Sequence, residues 1–150
     1  MDQIFAKASA VSSTATDATI VFGNWIVSGV KNNNAYVTDG TKGFIIYSSG
    51  HGFEPGDILS GTVACKVQLY KGSSEVTSIS SKSSGLTVTK GGTVTPVAMS
   101  IKDLSGVNTG AVLTYSGLKY NGESLTDGKY SITPYSTFAT LPTLVVGSNY

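Results

Sequence analysis

Apolar and polar residues alternate along several short segments of the chain, a pattern produced by strands with one buried face. The clearest alternation places Val63, Cys65, Val67 and Leu69 between polar or small residues. No window of about 15 residues has the sustained apolar spacing that a helix requires. The pattern therefore predicts an all-β chain. Its first five strands are expected in the segments 18–30, 35–38, 44–48, 58–72 and 73–90.

The turns between these strands favour a small closed barrel. Gly23 interrupts the long first strand, as a bulge or sharp bend does where a barrel coils. An Asp-Gly pair at 39–40 is a hairpin signal, and a loop rich in Gly and Pro at 49–57 joins strands three and four. Five short strands with a long first strand describe an OB-like barrel, expected over 17–90. Residues 1–16 are weakly patterned and are expected to form a loose N-terminal arm.

One stretch of the chain occurs twice. Ser28–Gly40 matches Ser116–Gly128, 88 positions later, with seven of thirteen residues identical. A fixed offset with matching turn residues indicates a tandem repeat. We therefore expect a linker over 91–109 and an incomplete second OB-like repeat over 110–150. The fold class is then an all-β, OB-like small β-barrel followed by a partial second OB-like unit.

The second copy lacks the last strands of the first. A sheet without its final strands has exposed edges, which favour pairing with another chain. The arm at 1–16 is about long enough to be donated as a strand, from the same chain or from a neighbour. The expected partners are accordingly a protein, or further copies of this chain joined by strand addition. The alternative is that the sequence is a fragment of a longer chain.

Composition narrows the function classes. Charged residues make up 13% of the chain, the formal net charge is +1, and the ten basic residues are all lysine. Because nucleic-acid binders need a basic face and favour arginine, a nucleic-acid partner is disfavoured. No apolar run is long enough to span a membrane, and no secretory signal is visible at the N-terminus. Cys65 is the single cysteine and is expected to be a buried apolar residue.

Catalytic and metal-binding patterns are weak. His51 is the single histidine, and the nine acidic residues are scattered along the chain. A metal site would need several clustered ligands, and a Ser/His/Asp hydrolase would need a nucleophile motif. The carboxylates that could serve glycoside hydrolysis are mostly at turn positions. We therefore expect no enzyme activity, no catalytic residues, no metal and no cofactor.

A set of spaced residues in the predicted barrel matches a known pattern. The positions are Tyr36, Val37, Asp39, Thr41, Gly43, Tyr47, Gly56, Asp57, Gly61, Val63, Tyr70, Gly72, Glu75 and Val76. This pattern resembles the OB-fold-like modules of surface and secreted proteins from Bacteroides-type bacteria, over about residues 19–80 and in part over 110–150. The resemblance implies a binding or spacer role without catalysis, and a location at the cell surface or outside the cell.

The outer face of strands two and three is the usual binding platform of an OB-like barrel. Aromatic residues there would stack on sugar rings, bases or a protein surface, with cationic residues at the rim. Trp25 is expected in the core or in packing between the two units. The candidate ligand-binding residues are Tyr36, Phe44, Tyr47, Lys31, Lys42 and His51.

Three functions follow, in order of preference. The first is a non-enzymatic binding or spacer module of a bacterial surface or secreted protein, which binds carbohydrate or protein through the face of strands two and three. The alternative is a structural component of an assembly, such as a phage virion, a fibre or a strand-exchanged oligomer. The third is an OB-fold that binds single-stranded nucleic acid.

Overall fold

The computed structural model describes residues 1–11 and 14–150, and its chain divides into two compact units. Strands account for 41% of the residues and helix for 9%, which confirms the all-β prediction. Unit 1 comprises Met1–Pro96 and Ser105–Val112, and unit 2 comprises Val97–Leu104 and Leu113–Tyr150. The elements of unit 1 are α1 (Asp2–Val11), β1 (Thr16–Lys31), β2 (Asn34–Thr38), β3 (Gly43–Tyr47), β4 (Ile58–Tyr70), β5 (Ser73–Thr77) and β6 (Leu86–Thr89).

Five strands of unit 1 form a closed barrel. Their order is β1-β2-β3-β5-β4, and β4 pairs again with β1. β3 and β5 run parallel, while every other pair in the barrel is antiparallel. β6 is an additional strand that pairs with the first residues of β4. This architecture confirms the predicted OB-like barrel.

β1 closes the barrel because it is long enough to pair twice. Its first part pairs with β4, from Thr16 opposite Val67 to Ile26 opposite Ile58. Its last residues pair with β2. The register with β4 shifts at Gly23, and the next residue, Asn24, has a φ of 58°. The bend predicted at Gly23 is therefore present, and it lets one strand serve both sides of the barrel.

The core consists of the inward-facing residues of all five strands. On β4, Val63, Cys65 and Val67 are buried, as their alternation predicted. Trp25 is partly buried against this core, and its ring lies 5.8 Å from that of Phe44. Phe22 completes an aromatic cluster, with its ring centre 5.4 Å from that of Trp25. Burial of these side chains provides the main favourable term in the stability of the barrel.

The Gly- and Pro-rich loop before β4 ends in a turn at the Gly-Asp pair of residues 56–57. Gly56 has a φ of 88°, and Asp57 Oδ2 accepts a hydrogen bond from the backbone N–H of Glu54 at 2.9 Å. The Asp57 side chain is buried, and its Oδ1 lies 2.7 Å from Lys90 Nζ. This ion pair raises the pKa of Lys90 through the hydrogen bond from its ammonium group to Asp57. Asp57 thus closes the turn and is neutralised locally.

The N-terminal residues differ from the prediction of a loose arm. Residues 2–11 form the helix α1, whose Ile4 and Ala8 are buried in the barrel core. These two residues are four positions apart and therefore lie on one face of a helix. Two apolar positions were too few to reveal this helix in the sequence. Ser12 and Ser13, which belong to the predicted arm, lie outside the described residues. The described part of the arm is a helix on its own barrel, so it does not support strand donation.

A segment that spans the end of the predicted linker and the first residues of the predicted second repeat packs on the barrel. We call Ser105–Val112 the strap, and it belongs to unit 1. The backbone N–H of Gly43 donates to the carbonyl oxygen of Val107 at 2.8 Å. Asn108 is buried, and its Nδ2 donates to the carbonyl oxygen of Thr41 at 2.8 Å. These bonds hold the strap across the end of the β2–β3 hairpin. The prediction of a linker over 91–109 did not include this contact.

Gly43→Ala is expected to lower the free energy of unfolding by about 1–3 kcal/mol, because the added Cβ would overlap backbone oxygen atoms of Thr109 and Val37. Chemical denaturation measures the change. Asn108→Ala removes the strap's side-chain bond to Thr41 without adding any atom. If both changes act by loosening the strap, the double variant costs less than the sum of the single variants. Additive costs would instead show that Gly43 acts through the β2–β3 pairing alone.

Unit 2 is built from very short strands. They are β7 (Val97–Ala98), β8 (Leu113–Thr114), β9 (Lys119–Tyr120), β10 (Leu125–Thr126) and β11 (Ser131–Ile132), with a 3-10 helix at Ile101–Asp103. β7 and β8 pair in parallel, and β9, β10 and β11 form an antiparallel sheet. Ile101 and Leu118 are its buried apolar residues. Unit 2 therefore has much less core than unit 1.

The repeated sequence stretch is similar in the two units at its Thr-Asp-Gly turns, 38–40 and 126–128. In each turn the threonine hydroxyl donates to the carbonyl oxygen four residues later, at 2.7 Å in both. The aspartate Oδ1 accepts from the backbone N–H three residues later, at 2.9 and 2.8 Å. The backbone N–H bonds of this second turn also lower the pKa of Asp127. The same side chains thus fold the same turn twice.

The hairpins before these turns differ. Lys31 lies opposite Asn34 across a two-residue turn, whereas Tyr120 lies opposite Leu125 across four residues. In the second hairpin, Asn121 Oδ1 accepts the backbone N–H of Ser124 at 2.8 Å, which stabilises the longer turn. A duplicated barrel therefore stays a prediction. The Thr-Asp-Gly turn is the part of the repeated stretch that has the same hydrogen bonds in both units.

Candidate functional site

The outer face of the barrel is formed by side chains that share cross-strand positions. Asn34 on β2 lies opposite Tyr47 on β3, and Tyr36 lies opposite Ile45. Because β3 and β5 pair in parallel, Ile45 also lies beside Glu75. Glu75 in turn lies opposite Gln68 on β4, so one row of side chains crosses four strands. This is the platform on which the sequence predicted ligand binding.

The strap covers one side of this platform. Its Thr109 hydroxyl lies 3.4 Å from that of Ser73 on β5, and the Ser28 hydroxyl on β1 donates to the carbonyl oxygen of Gly110. Thr38 and Ile45 face outward and yet are buried. The chain itself therefore occupies the end of the platform nearest the Thr-Asp-Gly turn of the barrel.

The other side of the platform is open and forms a depression of about 380 Å³. We call it the outer depression. Tyr47 and Tyr70 are 48% and 47% exposed and supply its aromatic surface. Its lining residues are Asn34, Tyr47, Gln68, Tyr70 and Glu75. Its volume is near the lower end of the range for small-molecule sites in proteins.

Two short turns leave the outer depression accessible. β1 and β2 are joined by residues 32–33, and β4 and β5 by residues 71–72. Asn32, Lys71 and Gly72 have φ values of 54°, 48° and 83°, which such tight turns require. Neither turn itself extends over the depression, and the strap lies against the second turn, where Gly106 is close to the carbonyl oxygen of Gly72. The depression therefore presents a shallow, aromatic surface.

Two polar groups of the outer depression are acceptors that can take a further hydrogen bond. Gln68 Nε2 donates to Glu75 Oε2 at 2.6 Å, and Glu75 is only 6% exposed. The side-chain oxygen of Asn34 is buried and has no hydrogen-bond partner among the described residues. A buried acceptor without a donor is costly, and a ligand hydroxyl or amine would satisfy it. The site is therefore suited to a ligand that donates hydrogen bonds.

Two of the six predicted site residues are buried in structural roles, and for them the prediction was wrong. Phe44 points into the barrel and is completely buried, because alternation along β3 places Phe44 and Tyr47 on different faces of the strand. His51 is also buried: its Nδ1 accepts the backbone N–H of Phe53 at 2.9 Å, and the two rings stack. Neither side chain reaches a ligand at the surface.

The other four predicted residues lie at different places on the barrel surface. Tyr47 lines the outer depression, and Lys31 lies opposite Asn34 at its rim. Tyr36 is half-buried on the same face, with Gly110 of the strap against its Cβ. Lys42 is at the β2–β3 turn, where it forms an ion pair with Asp2 at 2.6 Å. That hydrogen bond raises the pKa of Lys42 and lowers the pKa of Asp2.

The sequence did not assign four lining residues of the outer depression to a site. Gln68 falls on the polar side of the alternation in β4, and Tyr70 and Glu75 belong to the spaced pattern on which the resemblance to OB-fold-like modules rests. The missing information was the parallel pairing of β3 and β5, which places Glu75 beside Ile45 and hence near Tyr47. Asn34 had no signal beyond its position in a turn.

A second cavity, of about 490 Å³, lies between α1 and the barrel wall. Ile4, Ile20, Trp25 and Val67 are among its lining residues, with Lys7 on the helix side. The buried Asn34 oxygen that lacks a hydrogen-bond partner lies in the outer depression and not in this cavity. The outer depression is therefore the stronger candidate.

Comparisons with known proteins give no further assignment. No protein-family model, curated protein or solved structure matches the chain. Across residues 1–11 and 14–150, no three His, Cys, Asp or Glu side chains come together as a potential metal site. In the same ranges, no helix has the length and apolar character that crossing a membrane requires.

Proposed function

We propose that this chain is a non-enzymatic binding module that takes a carbohydrate in the outer depression. The observation that supports the proposal most directly is the pairing of two half-exposed tyrosine rings with buried acceptors that lack full partners. Aromatic rings stack on the apolar face of a sugar, while its hydroxyls donate to acceptors such as the Asn34 amide oxygen. A shallow, open surface is suited to one segment of a longer saccharide.

A binding role rather than hydrolysis fits the composition of the site. Glu75 is the single carboxyl group among the residues that line the outer depression. Glycoside hydrolysis uses a pair of carboxyl groups on either side of the scissile bond. The location that we propose, on the surface of a bacterium or outside the cell, rests on the resemblance of the barrel residues to modules of such proteins.

A nucleic acid is a poorer candidate for the same face. The phosphate backbone supplies most of the affinity of a single-stranded ligand and requires cationic contacts. The outer depression contains the Glu75 carboxyl group, and the chain has no arginine to form bidentate phosphate contacts. Both features oppose a phosphate ligand.

A structural role in an assembly is the second candidate, and one observation favours it. Several large apolar side chains near the end of unit 2 are exposed, among them Tyr135, Val145 and Val146. Large apolar side chains exposed in this number are found in regions that another protein covers. Light scattering separates the two candidates, because an assembly component is expected to have a mass above that of one chain.

Tyr47→Ala and Tyr70→Ala are each expected to weaken saccharide binding at least about tenfold, because each removes one stacking ring. Affinity electrophoresis through gels containing soluble polysaccharides identifies a ligand, and calorimetry then measures the dissociation constants. Tyr135→Ala is the matched control, since this tyrosine is 84% exposed and belongs to unit 2. Equal loss in the control variant, or retained binding in both depression variants, would contradict the proposed site.

A further inference from the structure

We propose that the outer depression selects saccharides that carry free, protonated amino groups, and that Glu75 is the residue that recognises the ammonium group. This inference rests on the proposed function and names its substrate class: polymers or oligomers of unacetylated amino sugars. It starts from a buried acidic residue that no cation neutralises among the described residues.

Glu75 is nearly buried, and its side chain has one hydrogen-bond partner in the described chain, the neutral amide of Gln68. A buried carboxylate is costly unless it is paired with a cation or fully hydrogen-bonded. Gln68 satisfies one oxygen, at 2.6 Å, and leaves the second oxygen available to a donor. A ligand ammonium group supplies both the missing donor and the missing positive charge.

Two of the three lysines near the outer depression have other partners. The third, Lys31, is exposed at the rim and forms no salt bridge with Glu75 among the described residues. Lys66 Nζ lies 2.7 Å from Asp17 Oδ1. Lys71 Nζ lies over the Tyr70 ring, 5.4 Å from its centre. The first contact lowers the pKa of Asp17, chiefly through the hydrogen bond from Lys66. Neither lysine forms a salt bridge with Glu75, so its charge remains available to a ligand.

The remaining groups of the outer depression also favour a cation. The face of Tyr47 is electron-rich, and an ammonium group over such a ring is stabilised by a cation–π interaction, as the Lys71 ammonium is over Tyr70. The buried oxygen of Asn34 has no hydrogen-bond partner, and an amide oxygen can only accept a hydrogen bond. A carboxylate, the Tyr47 face and an unpartnered oxygen together favour an amine over an anionic sugar.

An amino sugar fits this site better than a lysine side chain from a protein. A pyranose ring presents a flat apolar face to a tyrosine and carries its amino group directly on the ring. A lysine presents only a flexible methylene stem, whose ordering costs conformational entropy. The open, shallow form of the depression also allows neighbouring sugar units to continue on either side.

The test compares two oligosaccharides of equal length by calorimetry at about pH 6, at which the sugar amine is protonated. Chitosan tetraose carries free amines, and chitin tetraose is its N-acetylated counterpart. We expect the unmodified chain to bind chitosan tetraose at least about tenfold more tightly. Glu75→Gln keeps the shape of the side chain and is expected to abolish that preference, while affinity for chitin tetraose changes less than about threefold.

The outcomes separate this inference from the function on which it rests. Equal binding of both saccharides by the unmodified chain would overturn the amine selectivity and leave carbohydrate binding intact. Binding of neither would overturn the amine selectivity, and it would overturn carbohydrate binding as well if the polysaccharide gels also show no retention. If tetralysine binds as tightly as chitosan tetraose, the site recognises lysine side chains, and the proposed selectivity for amino sugars is overturned. If Glu75→Gln does not fold, the affinities of the unmodified chain are measured at increasing salt concentration. The affinity for chitosan tetraose must then fall as salt rises, and the affinity for chitin tetraose must not.

Discussion

Phe44→Ala is expected to lower the free energy of unfolding of the barrel by about 3–5 kcal/mol, the range for truncating a fully buried phenylalanine. Phe44 is completely buried, and its ring centre lies 6.3 Å from that of Phe22 and 5.8 Å from that of Trp25. The substitution removes a whole ring from the middle of this cluster. Because strands constrain the backbone on every side, the cavity that remains cannot collapse fully.

Guanidinium denaturation followed by tryptophan fluorescence measures this change well, because Trp25 is the single tryptophan and packs against the altered residue. Val21→Ala is the control, since Val21 is 63% exposed on β1 of the same unit. It is expected to change the free energy of unfolding by less than about 1 kcal/mol. If Phe44→Ala leaves no folded protein, Phe44→Leu is measured instead, because leucine retains part of the contact. Its loss in free energy of unfolding must lie between that of the control and the loss expected for Phe44→Ala. A cost for Phe44→Ala below that of the control would contradict the core assignment.

The barrel itself could be predicted from the sequence because its signals are local. Alternation along β4 identified its buried face, and Val63, Cys65 and Val67 are indeed buried. Gly23 marked the place where β1 bends from one partner strand to the other. The Asp-Gly pair at 39–40 marked the β2–β3 turn, where Gly40 has a φ of 118°. Each signal involves neighbouring residues, whose spacing the strand or turn geometry determines directly.

The assignment of faces on β3 shows where local reasoning failed. Phe44 and Tyr47 were both proposed as ligand contacts, although three positions separate them and they must point to opposite sides of a strand. The alternation alone does not say which side is inward, since β3 has apolar residues at four consecutive positions. The pairing of Ala35 with Ile46, both completely buried, decides it. Only tertiary pairing makes Phe44 a core residue and Tyr47 a surface residue.

Contacts between distant residues account for the rest of what the sequence did not reveal. Asn108 reaches Thr41, which is 67 positions away, so no local pattern announces the strap. Glu75 joins the outer depression because β5 runs parallel to β3, a pairing that short-range spacing does not encode. α1 has helical φ and ψ values mainly because Ile4 and Ala8 pack on the barrel. In each case the tertiary environment selects the structure.

Cys65 is expected to react with a thiol-specific reagent at least about 100-fold more slowly in the folded chain than in the denatured chain. Burial raises the pKa of its thiol from 9.0 to about 11, and the residue is only 7% exposed. The thiolate is the reactive form, so a shift of about two units lowers its population about 100-fold at pH 8. Restricted access of the reagent to the barrel wall adds to this factor.

The raised pKa of Cys65 also makes the stability of the folded chain depend on pH. The unfolded thiol loses its proton near pH 9.0, while the folded thiol keeps its proton up to about pH 11. The protonated Cys65 thiol therefore contributes its full share to the free energy of unfolding below about pH 9. That contribution is lost as the pH rises from about 9 to about 11. Cys65→Ala removes that dependence, so the difference between the two chains isolates it from lysine and tyrosine titration. Equal reaction rates in the folded and denatured chain, or identical pH profiles with and without the thiol, would show that Cys65 is not shielded by the barrel wall.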